Sequence, residues 1–396
     1  MSEKYHNELL SNLVELSRFY GSRPEFVLYG GGNTSVKTNA SLFIKASGIA
    51  LKSIDMSGLV EMNRSALRKI LSKTYNESPF RREQEIKRDL LAARVHPEKE
   101  KRPSVETIMH ELFVGRYVVH LHPTCINMIA CSTNGKSITQ EIFGENIVWV
   151  NYVDPGYTLA KLIEKTLAAF KKDRRRVCPD ALIMQNHGLL VGANEPHKVR
   201  EIIDNLVETA TERVGRFIKE DVPSSHLDYK DRRKWIDLLK SILPSFMSRE
   251  NRDKRVVFDG SSFVLRLVNN PQGQQLVEGG PLTPDQIVYC KQFPLWVNTT
   301  PGENSDSIRS RLERYVARYR QIYKHDPKVV IVQGVGLFGI DTTDKTASIV
   351  RDVYIDSIKI MFGAKQLGGI RYLTSQEREF IDTWEVEQYR RKAAME

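Results

Sequence analysis

The sequence predicts an α/β protein in two units. Short apolar runs of strand length alternate with longer segments whose apolar residues recur at helical spacing. Proline, serines and mixed charge interrupt that alternation at residues 221 to 232 (DVPSSHLDYKDR). This sets the expected units at residues 1–225 and 226–396, the second the smaller. The 396 residues are 41% hydrophobic and 27% charged, enough to bury an ordinary core without disulfides.

In the first unit, Leu9, Leu10, Leu13, Leu16 and Phe19 mark a helix over residues 3 to 20. Phe26 to Tyr29 reads as a short strand running into Gly30-Gly31-Gly32. Val36-Lys37 and Ser41 to Lys45 read as a hairpin that turns near Thr38-Asn39. Residues 57 to 73 and the charged stretch 79 to 92 read as helices. Pro103-Ser104 opens another, running to about Val114, with Ser104 placed to cap its first turn. Strands follow at Tyr117 to His122 and Ile147 to Val150, and a helix at 158 to 171. Ala181 to Met184 and Leu189 to Val191 are strands, and Pro196 to about Lys219 is a helix. The second unit gives a helix at 232 to 241, strands at 254 to 258 and 262 to 267, and a turn at Gly279 to Pro284. A helix at 305 to 323, a strand at 328 to 333 and helices at 344 to 362 and 375 to 391 complete it, with no internal repeat evident.

The N-terminus has no apolar core of the signal-peptide kind and no run of 18 apolar residues occurs, so a cytoplasmic protein without a membrane span is expected. Cys125, Cys131, Cys178 and Cys290 are scattered, with no C-x-x-C pair, and read as small buried hydrophobes. The net charge is +10, with basic runs at Arg81-Arg82 and at Lys171-Lys172 with Arg174-Arg175-Arg176. Aromatics do not interleave with these runs as a base-stacking surface requires, so no nucleic-acid partner is expected. The positive field suits an anionic, phosphorylated small molecule.

His120 and His122 alternate in a strand-like run, so their imidazoles share one face and can chelate one ion. His187 ends another apolar strand beside Gly188, where a small residue leaves room. Three neutral imidazoles with an open position form a catalytic rather than a structural zinc pattern. Gly30-Gly31-Gly32 lets backbone amides approach an anion. Ser104 at a helix start would add a hydroxyl and free amides, with Glu106 in the same first turn. The other histidines, His110 among them, read as surface residues.

The segments GGGNTSVK (30 to 37), IKASGIAL (44 to 51), RPSVET (102 to 107), VVHLHP (118 to 123) and QNHGLLV (185 to 191) resemble the class II aldolase and adducin family. The resemblance covers residues 5 to 220. It implies a class II aldolase-like three-layer α/β/α fold with a mainly antiparallel central sheet, followed here by a smaller α/β domain. It implies a divalent metal, preferably Zn2+, on His120, His122 and His187, with Glu106 as the catalytic acid/base. Gly32, Asn33, Ser47, Gly48 and Ser104 are implied for the substrate phosphate, with Val105 where the family often has a second serine. The family's usual tetramer makes a homo-oligomer the expected assembly. In the second unit, GGPLTPDQIVYCK (279 to 291), KVVIVQGVGLFGI (328 to 340) and VYIDSIKIM (353 to 361) resemble the middle of bifunctional rhamnulose-1-phosphate aldolase/dehydrogenases, without their dehydrogenase domain.

The implied reaction is cleavage of a ketose 1-phosphate, such as rhamnulose 1-phosphate, to dihydroxyacetone phosphate and an aldehyde through a metal-stabilised enediolate. Tyr152 is a candidate for the second proton-transfer group. The same site also serves an epimerase or a decarboxylase, and adducin-type relatives use the fold as a non-catalytic binding module. Gly334 to Gly339 fits G-x-G-x-x-G after a strand, but no helix begins inside it. A structural strand–turn–helix is expected there, not a dinucleotide site.

Overall fold

The computed structural model describes residues 3–76, 78–97, 100–174, 178–218, 222–248 and 253–385. Arg175-Arg176, Lys219, Asp221 and the last part of the expected 375–391 helix lie outside the described residues.

The chain opens with α1 (Glu3–Gly21), β1 (Asn33–Lys37), β2 (Ser41–Lys45), β3 (Leu59–Asn63), α2 (Arg64–Ser72), α3 (Pro79–Ala92) and α4 (Thr107–Leu112). It continues through β4 (Tyr117–Leu121), α5 (Thr124–Ala130), α6 (Gly135–Phe143), β5 (Ile147–Val150), α7 (Tyr157–Arg174), β6 (Ala181–Met184), β7 (Gly188–Ala193) and α8 (Pro196–Ile218). Among the described residues these strands form a seven-stranded sheet of order β3-β2-β1-β4-β7-β6-β5. Every neighbouring pair is antiparallel except β5 with β6.

Strand alternation divides the apolar residues between two faces. Val36, Val119, Leu121, Ile183 and Leu189 pack with the apolar residues of α1, α5, α6 and α8. Leu42, Val118, Leu182, Met184 and Leu190 pack with those of α2, α3, α4 and α7. The result is the expected α/β/α sandwich around a mainly antiparallel sheet.

The second, smaller α/β domain comprises α9 (Tyr229–Phe246), β8 (Arg255–Asp259), α10 (Ser262–Val268), α11 (Gly273–Glu278), α12 (Pro284–Cys290), β9 (Leu295–Val297), α13 (Ser305–Tyr323), β10 (Val329–Val332), β11 (Gly336–Asp341), α14 (Asp344–Gln366) and α15 (Ser375–Thr383). Its sheet has the order β8-β11-β10-β9.

This sheet repeats half of the first one. β8 pairs antiparallel with β11, β11 antiparallel with β10 and β10 parallel with β9, as β4, β7, β6 and β5 do. Local details recur as well. Trp149 Nε1 donates to Asn151 Oδ1 (2.9 Å) after β5, and Trp296 Nε1 to Asn298 Oδ1 (2.8 Å) after β9. Gln185 N donates to Val150 O and Gln333 N to Val297 O, both at 2.9 Å. The next residue in each turn has positive φ, Asn186 at 54° and Gly334 at 70°. The repeat was invisible in the sequence because few side chains are shared. It also corrects the glycine-rich motif: residues 334 to 339 turn from one antiparallel strand into the next, so the expected strand–turn–helix is a strand–turn–strand.

Three other expectations fail locally. Leu59–Asn63 is a strand, buried on alternate residues (Val60 and Met62), and only then does Asn63 cap α2 by accepting from Ala66 N (3.0 Å). Residues 262 to 268 form a helix instead of a strand. Phe26 to Tyr29 is turn and coil, with Tyr29 at φ 50°. No helix among the described residues is long and apolar enough to cross a membrane.

Candidate metal centre

β4 runs through the middle of the large sheet, and all five of its residues are buried. His120 is in register with Asn33 of β1 on one side and Leu190 of β7 on the other. The strand ends at Leu121, but His122 N still donates to Phe26 O (3.0 Å), which keeps His122 extended and on the face of His120. His187 closes the turn between β6 and β7, its amide donating to Met184 O (3.1 Å). Gly188 lets the three rings meet. A Cβ there would stand 2.4 Å from Leu121 O, 2.7 Å from His122 Cδ2 and 3.2 Å from His120 Cε1.

The three imidazoles each offer a nitrogen within 4.8 Å of the others. Their hydrogen bonds show which nitrogen is free. His120 Nδ1 faces Leu189 O (2.9 Å) and His122 Nδ1 faces Asp285 Oδ2 (2.6 Å). A carbonyl and a carboxylate only accept, so both Nδ1 atoms carry the proton and both Nε2 atoms present lone pairs. Those two Nε2 atoms face each other at 3.0 Å. In neutral rings these are two lone pairs, whose repulsion a proton or a metal cation between them would relieve, so the donor set can hold a divalent metal. Burial holds the His120 pKa well below the usual imidazole range, which keeps the ring neutral, as a ligand must be.

Glu106 Oε1 lies 2.9 Å from His187 Nε2 and 3.5 Å from His120 Nε2. Burial works against its charge, but the hydrogen bond from His187 Nε2 favours the charged form, and the carboxyl is held well below the usual range. Glu106 does not sit in the first turn of a helix as the sequence suggested. It is the residue before α4, with φ −88° and ψ 5°. Ser104 therefore caps a turn and not the helix itself, its Oγ accepting from Glu106 N (3.2 Å).

A buried relay holds Glu106. Asn33 Nδ2 donates to Glu106 Oε2 (2.5 Å) and to Ser104 Oγ (3.3 Å). Asn33 Oδ1 accepts from His110 Nε2, and His110 Nδ1 accepts from Ser35 Oγ (2.8 Å). His110, expected on the surface, is fully buried, and burial pushes its pKa down to about 3. The signal for this was available: His110 is four residues after Glu106, on the helix face that meets the alternate residues Asn33 and Ser35.

The cavity over the triad is lined by Gly32, Asn33, Ser47, Ser104, Glu106, His122 and His187 among the anticipated residues. Gly48 stands in the adjoining turn at φ 86° and does not line it. Tyr152 is not brought there: its ring lies under the Arg371 guanidinium, 4.7 Å away, in the core of the second domain. Two charged lining residues escaped the sequence reading, Lys45 and Asp285. Lys45 is buried, with Nζ donating to Ile49 O (2.8 Å), and brings an amine to the cavity lining.

Among the described residues of the second domain, the repeat lacks the histidine triad. Phe258, Gly260 and Val335 occupy the positions of His120, His122 and His187, and Gly336 that of Gly188.

An imidazole triad with an adjacent carboxylate, at the strand ends of a mainly antiparallel α/β/α sandwich, is an arrangement that could hold a divalent metal. The chain belongs to the class II aldolase and adducin family: the profile of the "Class II Aldolase and Adducin N-terminal domain" matches residues 11–214, and that of "Aldolase class II, second domain" residues 236–390. A relative described as "Uncharacterized oxidoreductase YuxG", from Bacillus subtilis (strain 168), is 26% identical over 96% of this chain. The chain spans 58% of that protein's length. Among solved structures, the N-terminal class II aldolase domain of a conserved protein from Thermoplasma acidophilum is 28% identical, covering 52% of this chain and 93% of its own, with a TM-score of 0.45. L-fuculose-1-phosphate aldolase from Thermus thermophilus is 16% identical, covering 53% and 95%, with a TM-score of 0.34.

Proposed function

We propose that the protein cleaves a ketose 1-phosphate of the rhamnulose-1-phosphate kind into dihydroxyacetone phosphate and an aldehyde, using Zn2+ or another divalent ion held by His120, His122 and His187. The observation that carries this reading is the cavity whose lining brings His122, His187 and Glu106 together with Lys45, Ser47 and Ser104. A bound divalent ion would supply Lewis acidity to the substrate's carbonyl oxygen, lowering the cost of the charge that develops as the C3–C4 bond breaks. In the condensation direction ionised Glu106 takes a proton from the dihydroxyacetone carbon; in cleavage the C4 hydroxyl gives up its proton and protonated Glu106 delivers one to that carbon, so the proton count balances. Asn33 and Ser104 hold that carboxylate in place. Lys45, Ser47, Ser104 and the backbone at Gly32 receive the phosphate, and Gly48 shapes the turn behind them.

The test is release of dihydroxyacetone phosphate from a panel of ketose 1-phosphates, with and without a chelator, by wild type and His187→Ala. Chelator-sensitive release that the substitution abolishes supports the reading. No release from any sugar by metal-loaded protein overturns it.

A further inference from the structure

The second domain's copy of the fold differs from the first at one place that matters. Between α6 and β5 the first copy has three residues, Gly144 to Asn146. At the equivalent place, between α11 and β9, the second copy inserts residues 279 to 294, including α12. That insertion reaches the metal centre of the first copy. Its first part is tied to the turn beside His187: Asn186 Nδ2 donates to Leu282 O (2.8 Å), and Leu282 N is held by Gln286 Oε1 (2.9 Å). Thr283 caps α12, its Oγ1 accepting from Gln286 N (3.4 Å). Asp285, in the first turn, thereby arrives 2.6 Å from His122 Nδ1. Gly31 leaves the space for it: a Cβ there would meet Asp285 Oδ2 at 2.9 Å and His122 Nδ1 at 3.3 Å.

From this we infer that Asp285 is a positioning residue of the metal centre, so that the second domain, though its own copy of the site carries no ligands, completes the site of the first. The inference rests on the reading that the triad holds a divalent ion. A carboxylate that accepts the Nδ1 proton fixes the tautomer and the rotation of His122, directs Nε2 to the ion and makes that nitrogen a stronger donor. His120 receives the same service from a backbone carbonyl within its own domain. Asp285 contacts the His122 nitrogen opposite Nε2. It acts through His122.

The experiment is metal binding by the full chain. Zn2+ affinity is measured by competition with a chelating dye, and Co2+ binding by its visible absorption, for wild type, Asp285→Asn, Asp285→Ala, Asp285→Glu and Thr283→Ala. Loss of the partner of a metal-bound imidazole costs ~10–100-fold in affinity, with Asp285→Ala at the upper end, Asp285→Asn lower and Asp285→Glu recovering part of the loss. Thr283→Ala loosens α12 but keeps the carboxylate, and is expected to hold metal within a few-fold of wild type. Wild-type affinity in Asp285→Asn and Asp285→Ala overturns the inference alone. So does an equal loss in Thr283→Ala, which would make the role one of domain packing. A wild type that binds neither metal overturns both the inference and the reading beneath it.

Discussion

Gly188 offers the sharpest separation of fold from site. An alanine there places a methyl 2.4 Å from Leu121 O and 2.7 Å from His122 Cδ2. Non-bonded heavy atoms settle at about 3.5 Å, so β4 or the rings must move by ~1 Å. Metal–ligand distances tolerate about 0.2 Å. The substitution is therefore expected to cost ~1–3 kcal/mol of folding stability, in the range of other overpacked positions. It is also expected to weaken Zn2+ binding by at least the ~10–100-fold that follows loss of a ligand's hydrogen-bond partner. The repeat supplies the control. A Cβ at Gly336 would meet Asp259 O at 2.5 Å and Phe258 Cε2 at 2.6 Å, at the equivalent strand position with φ 156°. Gly336→Ala should lose as much stability or more, because its backbone is also unfavourable for a side chain, yet keep the metal. Urea denaturation gives the stability and dye competition the affinity. Gly188→Ala binding Zn2+ like wild type, or Gly336→Ala losing it equally, would refute the reasoning.

Glu106→Gln keeps the shape and removes the acid/base, so dihydroxyacetone phosphate release should fall by ~10²–10⁴-fold while Zn2+ stays bound; a variant with a tenth of the wild-type rate would argue against the assigned role. Lys45→Met removes the buried cation from the phosphate end. A charge-assisted hydrogen bond is worth ~1.5–3 kcal/mol, so KM for the sugar phosphate should rise about 10–100-fold with a smaller change in kcat, read from initial rates. Chelation should lower the thermal midpoint: an ion present at a hundred times its Kd stabilises by ~2.7 kcal/mol, and scans with and without added Zn2+ measure the difference.

What the sequence made legible was local. The alternation of His120 and His122 at the end of an apolar strand was readable, whereas His187, read as ending a strand, lies in the turn after β6, which stops at Met184. The apolar positions Ile308, Leu312, Val316 and Tyr319 made α13 readable from end to end. The misreadings were short apolar runs, where periodicity does not separate helix from strand. Residues 262 to 268 have the β-branched and aromatic content of a strand, yet close a helix whose Val264, Leu267 and Val268 enter the core of the second domain. Ser104 was misplaced because a serine caps a turn by the same hydrogen bond with which it caps a helix. His110 and Asp285 were missed for opposite reasons. The first is near Glu106 in sequence but lies on a helix that looked polar, and burial was not visible. The second is 163 residues from His122, and no local pattern announces so distant a partner.

That separation has a consequence for how the protein is made. Chains grow at ~5–20 residues per second and N-terminal domains fold first. By the same rate, the 98 residues from His187, the last member of the triad, to Asp285 take ~5–20 s to synthesise. The nascent chain thus displays a formed triad before its distal carboxylate exists. If that carboxylate tightens the site as inferred, an ion captured early is held weakly and exchanges with its surroundings. Only when the insertion docks does the centre commit to its occupant. The order of residues along the chain thus sets the interval between the last of the three histidines and the carboxylate that faces His122.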